Sequence, residues 1–183
     1  VRNCEDTISE AIESIIAQDF PHELMEVIFV DDGSEDRTLQ IIEKYAAKMD
    51  MTVKVFHHSW KGLGYSRNVV VNNARGDYII WIDGDMIIPK DHVRKQVEYM
   101  EQHPKVGIAK AKYGMFPTKN LVATLENIPF VIISLRNYSQ NLKLPGTGGS
   151  IYRVDAVRQV GGFDDRLAGV GEDLDVAYRI LSV

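Results

Sequence analysis

Short apolar runs that stop at acids, alternating with segments of helical period, constrain this chain more than any other feature. EVIFVDD (26–32) is a short β-branched run and DYIIWID (77–83) an apolar one, as buried strands of a parallel sheet are, and TVKVFHH (52–58) is a further run of β type. Between them lie segments of 3.6-residue period. Thr7-Ile8-Ser9-Glu10 has the form of a capping box, and Ile8, Ala11, Ile12, Ile15 and Ile16 share one face after it. DRTLQIIEKYAAKM (36–49) places Leu39, Ile42, Tyr45, Ala46 and Met49 at helical spacing, and GYSRNVVVNNAR (64–75) reads as a helix ended near Gly76. Pro89 fits the first turn of a further helix carrying Val93, Val97 and Met100, before VGIAKAKY (106–113) resumes strand character. The alternation predicts an α/β domain, a doubly wound and mostly parallel sheet flanked by helices. After Gly114 the pattern loosens: Pro129 interrupts a helix, and LPGTGGS (144–150) is a glycine-rich loop.

With 45% hydrophobic residues among 183, the chain can bury a substantial core. Twenty-one basic against twenty-six acidic side chains give a net charge of −5, with no basic run, so a nucleic-acid partner is not expected. The single cysteine, Cys4, permits no intramolecular disulfide and suits a reducing compartment, cytoplasmic or the cytoplasmic face of a membrane. The longest apolar run, Phe130 to Leu135, is far shorter than the roughly 20 residues that span a bilayer. It reads as core before it reads as a surface for an acceptor or a membrane. Both ends look cut, so the chain is read as an excerpt of a longer one.

In a doubly wound sheet, ligands bind beyond the carboxyl ends of the strands, where two acid clusters stand. Asp31 and Asp32 end one strand, and Asp83-Gly84-Asp85 ends another. Either cluster alone is commonly a turn or a helix cap. Asp83 and Asp85 are two apart, so an extended segment would point both carboxylates to one side, with Gly84 allowing close approach of a ligand. Such hard oxygen pairs suit Mg²⁺ or Mn²⁺, bound through one or two carboxylates together with substrate phosphates. Glu172-Asp173 opens a segment with Leu174, Ala177, Tyr178 and Leu181 at helical spacing. A negatively charged first helical turn and a general base are both open readings there. His57 and His58 point to opposite faces of a strand, which makes a shared metal an unfavoured reading. Trp81 lies in an apolar strand and reads as core, while Trp60 could stack on a sugar or a base.

Three segments resemble family-2 glycosyltransferases of the GT-A fold, inverting nucleotide-sugar transferases. VDDGSEDRT (30–38) is similar to the nucleotide-binding motif, GYSRNVVVNNARGDYIIWIDGD (64–85) to the arginine-asparagine helix leading into the DxD motif, and GGFDDRLAGVGEDLDVAYRI (161–180) to the acceptor-side ED motif. The resemblance implies that Asp32 contacts the nucleotide base with Asp31 beside it, and that Arg67 lies near the nucleotide and its phosphates. It implies that Asp83 stands near the ribose and a metal-bound water, and that Asp85 ligates Mn²⁺ or Mg²⁺ directly. It makes Asp173 the catalytic base and Glu172 an acid lining the acceptor site, with Gly148 and Gly149 in the loop beside the sugar. The implied reaction transfers a hexosyl or N-acetylhexosaminyl group from a nucleotide-sugar donor, a UDP-sugar first, to a carbohydrate or lipid-linked acceptor. Residues 1–113 form the nucleotide-binding half and 114–183 the acceptor half. On this comparison the chain is expected to lack the family's first strand, and it ends before the region where processive members carry a QxxRW motif and membrane helices. Membrane association would then come through regions outside this chain. The rival reading is a non-catalytic nucleotide-binding or scaffold module of the same fold. A glycoside hydrolase needs no diphosphate crevice, and a receiver or aspartyl phosphatase leaves Glu172-Asp173 unexplained.

Overall fold

The computed structural model describes residues 1–111, 146–167 and 170–183. The loosened stretch after Gly114, Pro129 and the Phe130 to Leu135 run lie outside the described residues. Helix α1 (Ile8–Ile16) leads through a short 3₁₀ turn to strand β1 (Glu26–Asp32), then α2 (Thr38–Ala46), β2 (Thr52–His58), α3 (Leu63–Asn73), β3 (Tyr78–Ile80), α4 (His92–Gln102) and β4 (Ile108–Lys110). Strand β5 (Ser150–Arg153) follows, with helices α5 (Val154–Gln159) and α6 (Glu172–Leu181).

Strands β1 and β2 are parallel and pair Asp31 with His57 and Asp32 with His58. On the edge of β1 away from β2, the Val1 amino group donates to the Val30 carbonyl (2.7 Å) and the Asp32 amide donates to the Val1 carbonyl (2.9 Å). The second sheet has the order β3-β5-β4, with β5 antiparallel to both neighbours. The α/β architecture is thus the expected one, and β5 is the strand that reverses. The sequence reading did not separate it from the glycine-rich loop before it.

Two apolar clusters hold these layers together. In the first, Ile8 and Ile12 of α1 pack with Val27 and Phe29 of β1 and Ile42 of α2. Ile12 and Ile42 are wholly buried, and each such side chain contributes about 1.5–3 kcal/mol. In the second, Val71 of α3 meets Ile79, Trp81, Tyr152 and Phe163, with Val176 and Ile180 of α6. Trp81 sets its ring edge-on to Tyr152 (6.2 Å between centroids) and Phe163 (5.4 Å), the geometry that aromatic quadrupoles favour. Trp81 is therefore core, while Trp60 is 57% exposed. Tyr152, Val154, Val157, Phe163, Val176 and Ile180 share this second cluster with α3 and β3.

Helix α1 forms where its apolar period places it, but its cap differs from the capping box. The Thr7 hydroxyl makes no bond into its own helix. It donates instead to the Gly84 carbonyl at 2.9 Å, which ties the start of α1 to the acidic turn after β3.

Candidate active site

The carboxyl end of β1 presents two aspartates committed to different tasks. Asp31 is fully buried; it accepts from the Ser34 hydroxyl and amide and lies 2.8 Å from His57 Nδ1. Asp32 accepts from the Lys61 amide (2.7 Å) and the Gly62 amide (2.9 Å), one on each oxygen, with His58 Nδ1 at 3.3 Å. The two histidines thus serve separate aspartates, as their opposite faces require. Asp32 shapes the loop that enters α3, yet each carboxylate oxygen keeps acceptor capacity beyond one amide, because an ionised carboxylate has about four lone-pair sites.

Beyond β3 the chain turns instead of staying extended. The Trp81 amide continues the ladder to Ser150, and the Met86 amide then closes a turn on the Asp83 carbonyl at 3.0 Å. Asp83 and Asp85 are set by this turn, not by strand alternation as expected from the sequence. Both are exposed, and among the described residues neither carboxylate has a hydrogen bond or ion pair. Gly84 is buried, and a Cβ there would meet Cys4 Sγ and a Val1 methyl, each at 3.0 Å. The close approach it allows is to the N-terminal segment. Asp83 reaches solvent, yet the surrounding walls remove enough water to hold its carboxyl above the ordinary aspartate range. Arg67 opposes that rise and Asp85 adds to it.

Arg67 stands opposite this turn on α3. Its guanidinium forms an ion pair with Glu172 at the start of α6 and donates to the Thr147 hydroxyl at 2.6 Å. The rings of Trp81 and Phe163 lie 6.0 and 5.6 Å from it. Glu172 is 2% exposed, and its second oxygen, Oε2, is buried with no partner among the described residues. The residue expected to line an acceptor site therefore turns its carboxylate inward to Arg67. Asp173, the next residue, lies partly open. Its Oδ1 accepts from the Leu174 amide at 2.8 Å, and its Oδ2 sits 2.8 Å from where a Cβ on Gly146 would be. The Lys110 ammonium flanks the same point at 3.6 Å and donates to the Gly146 carbonyl at 3.3 Å. Burial raises the Tyr152 hydroxyl well above its usual range, and the nearby Asp173 and Glu172 raise it further while Arg67 opposes them.

Of the two loop glycines singled out from sequence, Gly148 is buried. Gly149 donates to the Trp81 carbonyl at 2.8 Å, and its own carbonyl accepts from Gln96 Nε2 at 2.8 Å. Gln96 also reaches His92 Nε2 at 2.8 Å. Gly146, Thr147, Tyr152 and the His92–Gln96 pair were not singled out in the sequence. The only signal for Gly146 and Thr147 was their membership of the glycine-rich loop.

The site thus brings together the ends of β1 and β3, the arginine of α3, the 146–149 loop and the first turn of α6. The model of Glycosyl transferase family 2 matches residues 1–161. The chain belongs to this family. TarS of Staphylococcus aureus, a poly(ribitol-phosphate) β-N-acetylglucosaminyltransferase, is 37% identical over 101 residues, 55% of this chain and 18% of its own length. The putative glycosyltransferase EpsE of Bacillus subtilis is 38% identical over 104 residues, 56% of this chain and 37% of its own length. The chain therefore spans well under half the length of these curated relatives. Among solved structures, TarS 1–349 in complex with UDP superposes with a TM-score of 0.71 at 24% identity, covering 98% of this chain and 52% of that one. The mannosyltransferase PcManGT of Pyrobaculum calidifontis, in complex with GDP-Man and Mn²⁺, gives 0.73 at 23%, covering 94% and 47%. These likenesses establish the GT-A fold.

The residues present fit a divalent cation of the Mg²⁺ or Mn²⁺ type. Asp83 and Asp85 offer hard oxygen donors without a hydrogen bond or ion pair among the described residues, and the Asp83 carboxyl carries a cost of charge that Arg67, the terminal ammonium and Lys110 offset only in part. Among the described residues no cluster of three or more His, Cys, Asp and Glu closes around a metal. No helix among the described residues is long and apolar enough to cross a membrane.

Proposed function

We propose that this family member transfers a sugar from a nucleotide-diphosphate donor to an acceptor hydroxyl, with inversion at the anomeric carbon. The observation that carries the reading is Arg67, which links the acids on both sides: it pairs with Glu172, the neighbour of Asp173, and its charge bears on Asp83. Asp85, with Asp83 beside it, would hold Mn²⁺ or Mg²⁺, whose charge stabilises a departing diphosphate when bound. Asp32, with Asp31 behind it, faces the base, and Arg67 stands toward the phosphates. Gly148 and Gly149 keep the loop beside the sugar narrow.

Asp173 takes the proton from the acceptor hydroxyl as that oxygen bonds to the anomeric carbon and the bond from that carbon to the phosphate oxygen breaks. Attack from the face opposite the leaving group inverts the centre. The bound UDP and UDP-GlcNAc of TarS and GDP-Man of PcManGT support a nucleotide-sugar donor, with UDP-sugars first. A carbohydrate or lipid-linked acceptor fits the same chemistry. A lone cysteine suits the cytoplasm or the cytoplasmic face of a membrane.

Calorimetry of UDP-GlcNAc and GDP-mannose, with and without Mn²⁺, tests the reading. Binding that needs Mn²⁺ in the parent protein and is lost in Asp85→Asn supports it. Equal affinity in both proteins contradicts the metal assignment, and absence of binding by any nucleotide sugar contradicts the function.

A further inference from the structure

The Asp173 carboxylate is confined between two elements, its own helix α6 and the loop at Gly146. Both are secured to one guanidinium. On one side, Arg67 pairs with Glu172, the residue before Asp173, so the first turn of α6 is held where Arg67 lies. On the other, Arg67 donates to the Thr147 hydroxyl, the residue after Gly146, against which Asp173 Oδ2 rests. Arg67 has little freedom of its own, since its side chain is 12% exposed and lies 6.0 and 5.6 Å from the packed rings of Trp81 and Phe163. Glu172 is itself buried, with one oxygen on Arg67.

We infer that Glu172 and Thr147 are positioning residues which, through Arg67, fix the slot that aims the Asp173 carboxylate. This deepens the role proposed above for Asp173 and rests on that reading. It also gives Arg67 a second task besides facing phosphates: the helix that meets the donor and the base that meets the acceptor share a single anchor. An ion pair and a hydroxyl bond held in a dry, aromatic-lined site keep their geometry because few alternative arrangements satisfy their charge.

The test uses Glu172→Gln, which can still accept from Arg67, and Thr147→Val, which keeps the shape and removes only the hydroxyl. Release of UDP from UDP-GlcNAc with Mn²⁺, water serving as the acceptor, gives kcat, and calorimetry gives the donor Kd. Both variants are expected to lose 10- to 100-fold in kcat with donor Kd changed less than threefold, on the scale of a misplaced reacting group. The double variant should lose no more than the worse single, because both act on one geometry. Unchanged kcat, a parallel fall in donor affinity, or losses that multiply in the double variant would overturn the inference. If the parent protein releases no UDP, the proposed function fails, and an arm without donor decides the positioning role. Carboxyl NMR of Asp173, which has Glu172 beside it in the chain and Lys110 and Tyr152 nearby, should then show altered chemical shift in Thr147→Val at a pH where no charge has changed. An unaltered Asp173 signal overturns the inference in that case too.

Discussion

Arg67 and Glu172 are separated by 105 positions in the chain and form one buried ion pair that joins α3 to α6. A buried pair gains little over apolar packing, while breaking it by removing one member strands the other charge. Arg67→Met should therefore destabilise the protein by about 3–5 kcal/mol. Arg67→Met with Glu172→Leu should recover most of that loss. Urea unfolding of the two variants checks the difference, and equal losses would show that Glu172 reaches another partner or water.

Gly146 faces the Asp173 carboxylate at a distance that leaves no room for a methyl group, with Oδ2 at 2.8 Å from the would-be Cβ. The opposing atom is the end of a side chain that can swing away, so Gly146→Ala should keep its unfolding midpoint within about 2 °C, the shift that a few tenths of a kcal/mol produce. Release of nucleoside diphosphate should fall by roughly 10²-fold, the cost of displacing a reacting group by about 1 Å. Full activity in this variant would mean that Asp173 does its work from another orientation.

The loop after β1 passes so close to Trp60 that a Cβ on Gly33 would sit 2.6 Å from the Trp60 amide nitrogen, and Gly33 has φ 72°. The opposing atom is backbone and cannot turn aside. Gly33→Ala should lose at least about 1–2 kcal/mol from the left-handed conformation alone, measured as a lower urea midpoint with unchanged slope.

His92 supplies the pH dependence. Its Nε2 accepts from Gln96, whose amide also holds the Gly149 carbonyl, so the ring is neutral with its proton on Nδ1. Burial lowers its pKa below the ordinary histidine value, with Asp91 opposing. A base whose folded pKa is depressed contributes stability fully above its unfolded pKa, near 6.5, and loses it as pH falls below that value toward the folded one. Unfolding midpoints at pH 7.5 and 5.5 should therefore fall more steeply in the parent protein than in His92→Leu. Equal slopes would remove His92 from the acid response.

Much of this arrangement was legible before any coordinates. EVIFVDD and TVKVFHH coincide with β1 and β2: β1 buries five of its seven residues and is written in consecutive apolar residues, while β2, which buries none fully, shows itself by its β-branched run. Trp81 read as core because it too lies in an apolar run. The acids at Asp31-Asp32, Asp83-Asp85 and Glu172-Asp173 were legible as clusters because each is local. What could not be read was their partners, which folding supplies from distant positions: Glu172 for Arg67, His57 for Asp31, the Lys61 and Gly62 amides for Asp32. Gly84 read as space for a ligand, since a glycine does not say what approaches it, and the space is taken by Val1 and Cys4. Strand β5 is four residues directly after a glycine-rich loop, too short for a period-2 pattern to declare itself.

The central claim is that Asp173 acts as a base on a donor held at Asp83 and Asp85. A time course of nucleoside diphosphate release from UDP-GlcNAc and GDP-mannose with Mn²⁺, run side by side on the parent protein and Asp173→Asn, tests it most directly. The account predicts slow release by the parent protein from at least one donor. It predicts a fall of roughly 10²-fold or more in the variant, within the range of general-base contributions, with donor affinity retained. Release at the same rate in both proteins would contradict it.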